Sequence, residues 1–136
     1  MKRVAFVCYA NRIRSQMAEG WARHLAGDRY VFESAGIDPC GPIFPEAVAV
    51  MHEAGIDISK HRPKSLDDID WASVDVAVSL LEVPIAQLVP PWFRGVGLDR
   101  PTPDPVGLGL DAHRRTRDQI EATVRQVIRE LDEGGS

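Results

Sequence analysis

The run Val4-Ala5-Phe6-Val7-Cys8-Tyr9-Ala10-Asn11-Arg12-Ile13-Arg14-Ser15-Gln16-Met17-Ala18-Glu19-Gly20 decides how this chain is read. Residues 4–7 are continuously apolar rather than alternating, the pattern of a strand buried on both faces of a parallel sheet. A cysteine ends the strand, a tight turn follows, and helical spacing begins near Ser15, which is placed to cap the helix. Met17, Ala18, Trp21, Ala22 and Leu25 recur at that spacing until Gly27 stops it. This layout sets a thiol on the floor of a turn. The backbone N–H groups of the turn and the helix N-terminus together make a seat for an anion. Arg14 adds a planar fork that holds two oxygens of a tetrahedral oxyanion at once, which lysine cannot do. Such a positive field favours thiolate, the nucleophilic form, over thiol. Ser15 can donate to the thiolate, and Asn11 tolerates a left-handed backbone inside the turn.

Outward from this run, a second strand is expected at residues 30–34. A second helix starts at Pro45, with Ala47, Val48, Val50, Met51 and Ala54 inward and Gly55 as its end. A third strand falls within 74–79, a short helix at 83–89 is broken by Pro90 and Pro91, and 96–98 reads as a weaker fourth strand. The longest helix spans 110–131, with Ile120, Val124, Val127, Ile128 and Leu131 on its inner face and a Glu121–Arg125 pair outside. The tail, residues 133–136, is expected to fray. Strands alternating with helices predict one α/β domain over residues 1–136. Its sheet is open, parallel and four-stranded, with helices on both faces and the anion loop after the first strand. Ligands of such sheets sit at the carboxyl ends of the strands, and Cys8 is at one.

With 136 residues, 44% of them hydrophobic and 26% charged, the chain has the composition of an ordinary soluble domain with a core of its own. A net charge of -4 argues against a nucleic-acid partner. No apolar run reaches the ~20 residues of a membrane helix, and the N-terminus is too short for a signal peptide, so a cytoplasmic, monomeric protein is expected. Two cysteines, Cys8 and Cys40, exclude a disulfide scaffold. His24, His52, His61 and His113 lack metal-ligand spacing, so no metal or cofactor is expected. Tyr9, Ala10, Asn11, Arg12, Ile13 and Arg14 make up the oxyanion loop. Phe44, Trp92 and Phe93 are readable either as rim aromatics or as core.

The spacing of Cys8, Arg14 and Ser15 resembles the signature of the low-molecular-weight protein tyrosine phosphatase superfamily. The stretch from Arg14 to Gly20, together with Ser34-Ala35-Gly36, Gly55-Ile56-Asp57-Ile58-Ser59 and Asp104-Pro105, is most similar to its arsenate reductase branch. That resemblance implies Cys8 as nucleophile, Arg14 and Ser15 as its partners, and a general acid facing it. Asp104, stiffened by Pro101, Pro103 and Pro105, is the candidate. Phosphatases of the superfamily usually carry a tyrosine pair after this acid, whereas Val106 and Gly107 follow here, which weakens an aromatic phosphoester as substrate. Thioredoxin-coupled reductases carry two further cysteines after the third strand. Here Ser79-Leu80-Leu81-Glu82-Val83-Pro84 has none.

Three readings therefore stand for what regenerates Cys8: an external thiol or a redoxin, Cys40 from the loop at 37–42, or water alone in a pure hydrolase. The first choice is an arsenate-reductase-like enzyme. The alternatives are a tyrosine or phosphomonoester phosphatase and a non-enzymatic oxyanion-binding module. The resemblance also implies loop support. Some members hold potassium with residues matching Asn11, Glu19 and Ser34 plus an aspartate. Lys64 stands where the aspartate is expected, so its ammonium is expected to replace the cation and pair with Glu19.

Overall fold

The computed structural model describes residues 1–134. Four strands, β1 (Arg3–Cys8), β2 (Val31–Gly36), β3 (Val76–Ser79) and β4 (Val96–Asp99), form one sheet. Its order is β2-β1-β3-β4 and every pairing is parallel. Three α-helices accompany it: α1 (Arg14–Ala26), α2 (Pro45–Glu53) and α3 (Gly109–Gly134).

The apolar run of β1 is buried throughout, and its alternation sorts side chains between two cores. Val4 and Phe6, with Phe32 and Val78, pack against Met17 of α1, Val50 and Met51 of α2, and Ile120 and Val124 of α3. Ala5, Val7 and Ala77 face the other way, under Ile69, Trp71 and Ile85. That second layer is built from the short 3-10 turns Leu66–Asp68 and Ile85–Gln87 and the segments beside them. Both faces are thus covered, one by the long helices and the other by short helical turns. All five apolar positions expected on the inner face of the last helix are buried in α3. Glu121 and Arg125 pair on its outside at 2.9 Å.

Three local expectations change. Ser15 does not cap α1, because the helix starts at Arg14 with Ile13 at the N-cap and no side-chain cap. The hydroxyl is instead spent on Cys8 and Asn11. The helix expected at 83–89 shrinks to the single turn Ile85–Gln87. The stretch between Pro84 and Pro90 is too short to nucleate an α-helix, and the Asp99 carboxylate takes the Ile85 N–H at 2.7 Å. The frayed tail is only partly testable: Glu133 and Gly134 continue α3, and 135–136 lie outside the described residues.

The order places β2 on one side of β1 and β3 on the other, so the chain reverses direction across the sheet at β1. The crevice this opens at the carboxyl end of β1 is where Cys8 lies.

Candidate active site

Residues 8–14 turn between β1 and α1, and the turn needs one left-handed residue. Asn11 supplies it, with φ 56° and no exposed surface. Its side chain is bonded at both ends. Oδ1 accepts from the Lys64 N–H at 2.8 Å and from Gln16 Nε2 at 2.9 Å, while Nδ2 donates to Ser15 Oγ at 2.6 Å. Ser15 Oγ in turn lies 2.8 Å from Cys8 Sγ. With the Asn11 amide filling one lone pair, the hydroxyl hydrogen is left to donate to Sγ when the sulfur is a thiolate. The Asn11 N–H also points at Sγ, at 3.3 Å. Cys8 is nearly buried, so these two donors make up much of its polar surroundings.

Gly36, at the end of β2, fits under the loop because it has no side chain. A Cβ there would fall 2.7 Å from both the Asn11 nitrogen and the Tyr9 oxygen. Ile37 and Asp38 then donate to the carbonyls of Cys8 and Tyr9. The loop is therefore braced from β2 as well as from its own ends.

Arg14 is 7% exposed and spans two elements. Its Nη1 donates to the carbonyls of Leu80, just past β3, at 3.3 Å and Thr102, before α3, at 3.0 Å. Its Nη2 lies 3.6 Å from Asp104 Oδ2. Asp104 also accepts the Val106 N–H at 3.1 Å, which fixes the carboxylate in its turn. A cleft of about 210 Å³ gathers Cys8, Tyr9, Ala10, Arg12, Ile13, Arg14, Phe44, Asp104 and Val106. Phe44 is thus a rim aromatic. Phe93 packs edge-on against Trp71 in the second core at 5.9 Å, and exposed Trp92 belongs to a separate cleft with Trp71 and Arg94.

Behind the loop, Glu19 is 4% exposed and heavily partnered. Ser34 Oγ donates to Oε1 at 2.7 Å, Arg23 Nη2 lies 2.9 Å from Oε2, and Lys64 Nζ lies 3.8 Å from Oε1. Asn11, Glu19, Ser34 and Lys64 are thereby brought into one support beneath the loop. Among the described residues, no group of three or more His, Cys, Asp and Glu side chains is arranged to hold a metal ion. Cys40 is exposed and unbridged, on the loop from β2 to α2, and is not among the cleft-lining residues.

Two participants were missed in the sequence. Gln16 Nε2 donates to Asn11 Oδ1 and to the Arg62 carbonyl, so its Oε1 is the accepting end and His61 Nδ1, at 3.0 Å, is the donor. Burial lowers the His61 pKa, which suits this neutral tautomer. A hydrogen-bonded chain thus runs His61–Gln16–Asn11–Ser15–Cys8. Only the position of Gln16 one residue after Ser15 hinted at it. The His61 contact joins residues 45 apart, and no local pattern announces it.

Residues 3–136 match the family model described as low molecular weight phosphotyrosine protein phosphatase. A Synechocystis sp. protein named glutaredoxin arsenate reductase is 34% identical, over 96% of this chain and 99% of its own length. A Staphylococcus saprophyticus protein named arsenate reductase 2 is 34% identical, over 92% of this chain and 95% of its own. A solved structure titled as an arsenate reductase in the phosphate binding state superposes with a TM-score of 0.86 at 34% identity, covering 96% of this chain and 99% of that one. The chain belongs to the low molecular weight phosphotyrosine protein phosphatase family.

Proposed function

We propose that this chain is a cysteine-dependent arsenate reductase. The observation that supports it most is the nearly buried Cys8 sulfur, faced by Ser15 and the Asn11 N–H, at the head of a cleft that also holds Arg14 and Asp104. In this reading the oxyanion sits on the loop of Tyr9 to Arg14, and the Arg14 fork and backbone N–H groups hold its oxygens and the charge that develops on them. The Cys8 thiolate attacks arsenic, and Asp104 protonates the departing oxygen. Arsenite leaves when a second sulfur attacks Cys8 Sγ. With no cysteine in the segment from Ser79 to Pro84, that sulfur comes from an external thiol or a redoxin. Asn11, Glu19, Ser34 and Lys64 keep the loop in shape. The protein works as a single-domain monomer in the cytoplasm, where the compartment keeps Cys8 reduced.

A second reading is favoured by Asp104, which lies 3.6 Å from Arg14 on the cleft wall, a placement equally suited to protonating an alkoxide or phenoxide leaving group. Under it, water hydrolyses a phosphocysteine and the protein is a phosphomonoesterase. A paired assay separates the readings: arsenite release with candidate thiols and redoxins, against p-nitrophenyl phosphate hydrolysis. Arsenite is the expected product, and Cys8→Ser should abolish it. Hydrolysis with no arsenite under any reductant would reverse the order. Neither activity, with phosphate still bound, would leave an oxyanion-binding module.

A further inference from the structure

We propose that Arg12 is a second anion-binding arm at the mouth of the cleft, and that it receives the carboxylate of the small thiol that reduces the Cys8 adduct. This deepens the arsenate reading and rests on it. Arg12 Nε donates to the Pro42 carbonyl at 2.6 Å, and the guanidinium carbon sits over the Phe44 ring, 3.8 Å from its centroid. Gly41, with φ 82°, leaves room for the group. A Cβ there would come within 3.2 Å of Arg12 Nη2. The side chain is therefore held by three features of one loop, yet no carboxylate pairs with it among the described residues. Arg14 contrasts with it, having Asp104 beside it. The charged side chains on the cleft wall are Arg12, Arg14 and Asp104, so the excess positive charge is at Arg12.

A guanidinium seated over a ring and tied through Nε keeps its Nη edge for a planar two-oxygen anion. The oxyanion on the loop does not need that edge, because Arg14 already serves it. The remaining molecule that must approach Cys8 is the reductant. Its thiolate attacks Cys8 Sγ, so an S–S bond forms and the Sγ–As bond breaks with its electron pair passing to arsenic. Arsenic falls from the pentavalent to the trivalent state and leaves as arsenite. A second molecule of the same thiol then attacks the mixed disulfide at the small-molecule sulfur and frees Cys8. Overall, arsenate and two thiols give arsenite, one disulfide and water.

The arm can be tested without arsenate, by following mixed-disulfide formation at Cys8 by intact mass in a Cys40→Ser background. The probes are dithiodipropionate, which carries a carboxylate on each half, and neutral hydroxyethyl disulfide. The ratio of their rates should fall roughly tenfold in Arg12→Met, the scale of one charge-assisted contact. Arg12→Lys should keep part of the preference. An unchanged ratio in Arg12→Met, or a lysine variant no better than the methionine one, would overturn the proposal. Arsenite release with dithiothreitol is measured alongside. Its absence with the preference intact would overturn the arsenate reading alone, whereas loss of the Arg12 dependence with arsenite still formed would overturn the arm alone.

Discussion

Asn11 carries two burdens that substitution can separate. Its backbone is left-handed, and its amide satisfies three buried partners. Asn11→Gly removes the amide but relaxes the backbone, whereas Asn11→Ala removes the amide and keeps a Cβ at positive φ, a steric penalty of about 1–2 kcal/mol that no polar side chain then offsets. Both leave the Lys64 N–H and Gln16 Nε2 without their acceptor, at about 1–3 kcal/mol for each group that stays dry. Urea denaturation should therefore rank wild type above Asn11→Gly and that above Asn11→Ala. Equal stability of the two variants would show that the strain is not stored there. Ser15→Ala leaves Asn11 Nδ2 without its acceptor, at about 1–3 kcal/mol of stability, and should slow both reactions at Cys8 by about 10²-fold, since its hydroxyl faces the reacting sulfur. Kinetics on the folded variant read this directly. Cys8, Asn11, Arg14 and Ser15 were legible because they fall within eight consecutive residues. His61 was not, because its role is set by where residues 61–64 pass beneath the loop.

Elements are tied by charges that the sequence shows only as scattered residues. Glu53 at the end of α2 accepts from Arg114 and Arg117 of α3, at 2.8 and 2.9 Å respectively for the closest contacts. The Arg114 hydrogen bond, ahead of that from Arg117, holds the Glu53 carboxyl down to about 2, well below the ordinary 4.5 of a glutamate. The folded state thus releases this proton more readily than the unfolded chain does. Its stabilisation is complete above pH 4.5 and is lost as pH falls toward 2. Glu53→Gln should flatten stability against pH in that window, measured by denaturant midpoints. The pair is exposed and screened, so the effect should shrink in high salt. The segment ending at Lys64 offers a second test. Lys64 Nζ faces Glu19 Oε1 where some members of the family hold potassium and where the sequence leads to an ammonium in its place. Activity should respond alike to potassium and sodium at equal ionic strength, and Lys64→Asp should make it potassium-dependent. A steep potassium response in the wild type would sink the substitution of ammonium for ion.

At the scale of the molecule, β1 and α1 were legible because one uninterrupted run encodes both, and α3 because its five apolar positions repeat over several turns. The region from 58 to 75 was not, since its turns are held by long-range contacts such as the bridge of Gly36 to Ser65 rather than by periodicity. The same geometry bears on the fate of the electrons. Cys8 is 2% exposed at the bottom of the cleft, whereas Cys40 is exposed on the loop that braces Arg12 and is not part of the cleft wall. For Cys40 to resolve the Cys8 adduct, the two Cα atoms must come within ~7 Å. The protein incubated with arsenate and no external thiol should therefore form no intramolecular disulfide and release no arsenite. The mass of the non-reduced chain, read with and without thiol alkylation, reports this. Cys40→Ser should retain thiol-supported turnover within about twofold, the effect expected of an exposed loop residue away from the chemistry. If a Cys8–Cys40 bridge accumulates with one equivalent of arsenite, the loop opens during turnover. The second sulfur would then be internal, and the external thiol would serve only to reduce that bridge.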